Sequence, residues 1–227
     1  MDKLIIIGAS DAAKQIYSLI TFHKMCEVVG FAVNKEFRTS DSFLGLPVYD
    51  LEHLNEEVEG DFGVFVAIQW SHLNADRRKV FEYCCSQGYK LVNIISPTAI
   101  VRSEITGRNC FIDDFVIIKN DVIIEDNVWI KANAIISDFT HIESHAYLGL
   151  HAIVAGGVTI GEQSFVGISA VVLDATKIGR KCIVSSGCIA KRNMPDFSRW
   201  VNDTDITIKL YSEEEVEEKL VPSKRVR

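Results

Sequence analysis

The chain has 227 residues, 31 acidic against 24 basic side chains, and a formal net charge of −7. This balance leaves no basic footprint for nucleic acid, and the Lys224-Arg-Val-Arg227 tail is too short to supply one. No apolar stretch approaches the ~20 residues of a membrane span and no signal peptide precedes the first strand, so a cytoplasmic protein without a membrane partner is expected.

Leu4 to Ile7 is a continuous apolar run that ends in Gly8-Ala-Ser-Asp-Ala-Ala13, after which Ile16, Leu19 and Ile20 recur at helical spacing. This reads as strand, tight turn and helix. Further apolar runs at Val28–Val33, Phe62–Ile68 and Lys90–Ile95, with an amphipathic helix from about Leu73 to Ser86, predict an α/β domain with a short parallel sheet over residues 1–95. Ligands of such sheets bind past the strand carboxyl ends, where the free amides of the first helix attract phosphate. Ser10 and Ala13 replace the second and third glycines of the dinucleotide fingerprint, and Ala32, Val33, Asn34 and Lys35 stand where an acid would hold a ribose. A nicotinamide dinucleotide is therefore not expected.

From Ile100 to Ala190 every sixth residue is aliphatic or nearly so, running through Ile112, Ile118, Ile124, Ile130, Ile136, Ile142, Leu148 and Val154. A second, mostly small track follows four residues behind, and Glu104 alone is misfit in it. A period of six fits neither a helix nor a simple strand. It fits a parallel β-helix over residues 96–193, in which three short strands make a triangular coil of 18 residues. On that spacing Ile100, Ile118, Ile136, Val154 and Val172 would stack as one ladder inside a wall. The six cysteines form no Cys-x-x-Cys pair, and Cys182 and Cys188 on the small track read as buried core thiols. Neither a zinc cluster nor a disulfide framework is indicated.

The Leu4-Ile-Ile-Ile-Gly-Ala9 turn, Val29-Gly-Phe-Ala32, Gly45-Leu-Pro-Val48, Phe65-Val-Ala-Ile68, the Gly88 to Pro97 segment and the hexapeptide coils occur in an order that resembles the sugar O-acyltransferase and sialic acid O-acetyltransferase-like family. This family includes nucleotide-sugar N-acetyltransferases of bacterial glycan synthesis, and the resemblance covers about residues 3 to 193. It implies a homotrimer of left-handed β-helices, acetyl-CoA as acyl donor between subunits, and an N-terminal domain holding a nucleotide-linked amino sugar. Position by position, it implies that Gly8, Ser10 and Asp11 face the phosphates and that Asn34 and Lys35 meet the base. Gly156, Gly157 and Gly167 would pass the thioester and pantetheine.

Acyl transfer needs a base for the acceptor's proton, a task suited to neutral imidazole near pH 7. The family usually places that histidine where this chain has Asp138, followed by an acid where it has Phe139. A second family histidine aligns with Tyr147. Instead, His141, His145 and His151 crowd the same coils. The beat places His145 and His151 at outward corners and points His141 out from a wall. His151 resembles a histidine of a subset of the family and is the first candidate base. His141 is the second, oriented by Asp138, which could itself serve, although an ordinary carboxylate is a poor base at neutral pH. A metal site from the three histidines would need them to converge across a subunit interface, which their spacing and the N-terminal α/β domain fit poorly, and it is not expected.

After Arg192-Asn-Met-Pro195 the beat stops, and residues 194–227 read as an extension whose acidic Glu213 to Leu220 stretch forms a short helix over the open end of the coils. The leading expectation is an acyltransferase acting on a nucleotide-linked sugar. The alternative is a catalytically altered relative that binds such a sugar without transfer.

Overall fold

The computed structural model describes residues 3–201. Alternation of apolar runs with helices gives five strands, β1 (Lys3–Ile7), β2 (Glu27–Val33), β3 (Ser42–Phe43), β4 (Leu46–Asp50) and β5 (Gly63–Val66). They form one sheet in the order β3-β4-β2-β1-β5. The pairs of β1 with β2 and β5, and of β2 with β4, are parallel, while β3 folds back on β4 as an antiparallel hairpin. Because β1 lies between two strands and is covered on both faces, its run Leu4 to Ile7 is buried without alternation. Helix α1 (Asp11–His23) presents Ala12, Ala13, Ile16 and Ile20 to the face carrying Leu4 and Ile6. The short α2 (Leu54–Glu57) and α3 (Ala75–Ser86) cover the face carrying Ile5 and Ile7.

The expected last strand, Lys90–Ile95, divides. Leu91 makes a single bridge to Val64 at the sheet edge, whereas Ile94–Ile95 opens the first wall of the second half. Asn93 forces the change of partner: its Nδ2 donates to the Gly107 carbonyl and its Oδ1 accepts from the Cys110 amide, 2.8 Å in each case.

The second half is a left-handed parallel β-helix. Its first wall runs from Ile94–Ile95 through Phe111–Ile112, Trp129–Ile130, Tyr147–Leu148, Phe165–Val166 and Ile183–Val184 to Arg199–Trp200. The second runs from Ile100–Val101 to Ile189–Ala190. The third holds Ile123–Ile124, His141–Ile142, Thr159–Ile160 and Lys177–Ile178. Every beat position from Ile112 to Ala190 is fully buried, and Cys182 and Cys188 lie in the same core.

Two details depart from the beat. Val101, and not Ile100, pairs with Ile118, so the first coil is one residue short and Ile100 faces outward, 51% exposed. Past Pro195 the coil does not break: Met194 bridges Ile178 and Trp200 pairs with Val184, a turn of 16 residues that keeps both side chains toward the core. The acidic helix expected near Glu213 lies outside the described residues.

From Asn109 to Gly187 every sixth residue has a positive φ, three residues after each interior position. These left-handed residues turn each corner, and only two of them, Gly157 and Gly187, are glycines. A side chain in that conformation costs about 1 kcal/mol, so the pairing on both sides must hold each corner in place.

The two halves are joined along the first wall. Phe65 of β5 stacks on Trp129 with ring centres 6.0 Å apart, and Lys131, buried, pairs with Asp113 at 2.7 Å and reaches Gln15 of α1 at 3.0 Å. At one corner Asn109, Asn127 and His145 form a hydrogen-bonded column. Asn109 Oδ1 accepts from the Val66 amide, its Nδ2 donates to Asn127, and Asn127 Nδ2 donates to His145 Nδ1 at 2.9 Å.

Candidate active site

The ends of β1 and β2 lie level, with Ile7 paired to Ala32, and the chain leaves β1 through Gly8 into α1. Gly8 has φ 121°, and a Cβ there would stand 2.9 Å from the Ala67 carbonyl oxygen, so the turn admits only glycine. Ser10 is the N-cap residue but makes no capping bond with its side chain, which leaves its hydroxyl and the first amides of α1 facing outward.

They open on a cavity of about 680 Å³ whose lining includes Gly8, Ser10, Asp11 and Asn34 but not Lys35. Lys35 sits in the short 3-10 turn after β2 and is exposed. The cation of the cavity is instead Lys79, on the face of α3 that also brings Asp76, Val80 and Tyr83. Sequence reasoning missed that face, although the 76–79–80–83 spacing is the signal of one helical stripe. Glu36 and Phe37 line the opposite side. Asp76 accepts from Ser71 Oγ and lies against His72 Nδ1, both at 2.8 Å. Burial raises its carboxyl, but these bonds outweigh burial and hold it below the usual range.

The β-helix residues fall into two groups. Asp138, Gly156 and Gly157 occupy the corner between the second and third walls, with His141 just beyond on the third. His151 and Gly167 occupy the corner between the first and second walls, so a single chain does not bring the two groups together.

Asp138 Oδ1 accepts from the backbone amide and the side-chain amide of Asn120, at 3.1 and 2.8 Å. Those bonds hold its carboxyl below the ordinary range, which makes it a weaker base still. The expected pairing of Asp138 with His141 is corrected. Asp138 looks along its corner to Asn120, and the carboxylate beside His141 belongs to Glu125. Glu125 Oε1 stands 2.7 Å from His141 Nε2, and its Oε2 accepts from the amide and hydroxyl of Ser144 at 3.0 and 2.8 Å.

His151 has φ 57° and an exposed side chain with no hydrogen-bond partner among the described residues. His145 is not an open corner residue: it is 6% exposed, packed against Phe81 at 5.5 Å, and serves the joint between the halves. Tyr147 lies between the rings of Trp129 and Phe165, and burial pushes its hydroxyl up to about 12, which keeps it a neutral phenol near pH 7.

Gly167 lies beside a second cavity of about 450 Å³ where Trp70 and Leu73 meet Tyr147, Phe165 and Ile168. A Cβ on Gly167 would lie 2.5 Å from the Ser186 amide nitrogen. Among the described residues, no group of three or more His, Cys, Asp or Glu is placed to hold a metal ion, and no helix is long and apolar enough to cross a membrane.

No protein-family model matches the chain, and no curated protein sequence matches it. Solved structures do. A His-to-Asn variant of perosamine N-acetyltransferase from Caulobacter crescentus, in complex with CoA and GDP-perosamine, is similar over 88% of this chain and 93% of its own, with a TM-score of 0.78 and 28% identity. The acetyltransferase domain of PglB from Neisseria gonorrhoeae, in complex with acetyl coenzyme A, is similar over 87% and 94%, with a TM-score of 0.76 and 25% identity. WeeI from Acinetobacter baumannii shares the fold at 16% identity and a TM-score of 0.77, over 89% of this chain and 98% of its own. The same α/β half leads into the same β-helix in all three, and the chain is thus similar in fold to hexapeptide-repeat acetyltransferases of bacterial glycan synthesis, the family that its sequence resembles.

Proposed function

We propose that the chain transfers an acetyl group from acetyl-CoA to a nucleotide-linked amino sugar or a closely related sugar for surface-glycan synthesis, as a cytoplasmic homotrimer. The α/β half up to Asn93 holds the nucleotide sugar, and the β-helix from Ile94 to Trp200 carries the transfer. The observation that carries this reading is the cavity at the Gly8 turn, set on a fold shared with a protein crystallised with both CoA and GDP-perosamine.

In the cavity, the amides of α1 and Lys79 take the diphosphate. Ser10 adds a hydroxyl donor, Asn34 faces the base, and the carboxylates of Asp11 and Glu36 accept from ribose or base hydroxyl and N–H groups. Lys35 meets the base only if it turns inward on binding. Gly156, Gly157 and Gly167 let the donor's thioester and pantetheine approach the backbone.

The trimer is supported by the second wall. Its outward positions, Ile100, Ile117, Ile135, Ile153, Val171 and Ile189, form an aliphatic face, of which Ile100, Ile153 and Ile189 are 51, 40 and 43% exposed. An unbroken apolar face of this kind marks a subunit contact. Apposition of subunits would also bring the two corner groups into one site, with His151, His141 and Asp138 as candidate bases.

The alternative, a relative that binds the sugar nucleotide without transfer, is favoured by Asp138 and Tyr147 at positions where the resemblance leads one to expect histidine. Thiol release from acetyl-CoA, measured over a panel of nucleotide amino sugars, separates the two. Release with at least one acceptor supports the transferase. Acceptor binding without release from any of them supports the alternative.

A further inference from the structure

The three walls differ in what they offer a substrate. The first is covered by the α/β half and by its own aromatic ladder. The second presents aliphatic side chains. The third presents His141, Thr159 and Lys177 in succession above Ile123, and His141 there is half-buried rather than loose.

His141 is held by a carboxylate that is itself held. Glu125 comes from the preceding coil, two residues beyond Ile123, the residue that pairs with His141. One oxygen of Glu125 lies against Nε2, and the other takes two hydrogen bonds from Ser144. Both oxygens of the carboxylate are therefore engaged, which fixes its rotamer. Burial raises the Glu125 carboxyl, and the bonds from Ser144 and His141 outweigh this and hold it ionised. An ionised acceptor at Nε2 selects the tautomer with hydrogen on Nε2 and the lone pair on Nδ1. Nδ1 has no partner among the described residues. Neither His151 nor Asp138 has a comparable arrangement, since the former lacks a side-chain partner and the latter has donors alone.

We infer that His141 supplies the base through Nδ1 and that Glu125, anchored by Ser144, is its positioning residue. This rests on the transferase reading above. The acceptor's amine or hydroxyl gives its proton to Nδ1 as its heteroatom attacks the thioester carbonyl. The new bond to carbon forms, the carbon–sulfur bond breaks, and the imidazolium returns the proton to the departing thiolate, leaving CoA thiol and acylated sugar. Glu125 remains ionised throughout and offsets the charge on the imidazolium.

Three variants and one spectrum test this. His141→Asn lowers kcat by about 100-fold or more, with KM within about threefold. Glu125→Gln lowers kcat by about tenfold at unchanged KM. The double variant is no slower than His141→Asn alone, because the two residues act as one unit. Nitrogen-15 NMR of the full chain shows His141 with hydrogen on Nε2, and Glu125→Gln shifts that signal. A His141→Asn rate within threefold of the unsubstituted chain overturns the base assignment while leaving the transferase reading intact. Additive losses in the double variant, or hydrogen on Nδ1, overturn the role of Glu125. Absence of thiol release from the unsubstituted chain with every acceptor overturns the transferase reading and this assignment with it.

Discussion

The guanidinium of Arg77 lies 5.1 Å from the centre of the Trp129 ring, fully buried where α3 meets the first wall. No carboxylate bonds it among the described residues. It donates instead to the carbonyls of Asn127, His145 and Ala146 at 3.1–3.3 Å and to Asn74 Oδ1 at 3.2 Å. Burial pulls its pKa down to about 9, so the cation persists at neutral pH on carbonyl dipoles and an aromatic face. This one side chain ties both halves of the chain to a single corner.

Arg77→Ala leaves those carbonyls without this donor and opens a cavity beside Trp129. The expected loss is about 3 kcal/mol of unfolding free energy, with Arg77→Met costing roughly half as much because it refills the volume. Denaturant unfolding measures both. A cost below about 1 kcal/mol for the alanine variant would show that the guanidinium is not holding the joint.

His145 makes stability depend on pH. Burial, and then the charge of Arg78, push its pKa down to about 4, and its Nδ1 accepts from Asn127, a bond that the protonated ring cannot make. The unfolded chain takes up a proton near pH 6.5 and the folded chain only near 4, so stability is full above 6.5 and falls as pH drops between these values. At pH 5 the expected loss from this group is about 2 kcal/mol relative to pH 7.5. His145→Asn keeps a residue type suited to the left-handed corner and should flatten that part of the profile. An unchanged slope would mean that other groups cause the acid sensitivity.

Gly8→Ala sets a Cβ against the Ala67 carbonyl in a backbone conformation that alanine resists. Stability should fall by more than about 1 kcal/mol, and binding of a nucleotide sugar should fall at least as steeply. Lys79→Met should weaken the same binding by about tenfold with the melting temperature unchanged. Isothermal titration with a sugar nucleotide reads both effects; full affinity in Lys79→Met would remove that lysine from the phosphate site.

Ile153→Arg places a charge in the middle of the aliphatic second wall without touching the interior, where Val154 points. On the proposed trimeric assembly, sedimentation should then find monomers, with the far-ultraviolet spectrum unchanged. A trimer that survives the substitution would place the subunit contact elsewhere.

The β-helix was legible in the sequence because each interior position is filled by one residue at a fixed interval, so periodicity alone carries it. The ends were not. The shortened turns at Val101 and Trp200 keep the pairing but lose the count, and a period cannot reveal a coil of 16 or 17 residues. At the candidate site, strand and helix order pointed to the turn at Gly8, since a turn after a parallel strand has one usual location, while Ser10, Asp11 and Asn34 were named through the family resemblance. Lys79 lay on a helix whose orientation the sequence leaves open. The partner of His141 was missed for a related reason: Glu125 and His141 are 16 residues apart, and only the stacking of coils makes them neighbours.

The corner residues make few demands on size, since asparagine, phenylalanine, histidine, glutamine, serine and lysine all occupy the same turn with the same backbone angles. The interior carries the coil, and the outer positions away from the first wall are free of it. At the exposed corners, reactive groups can thus be exchanged one residue type at a time without disturbing the interior. A histidine at one exposed corner can be exchanged for one on an adjacent wall while every strand keeps its partner.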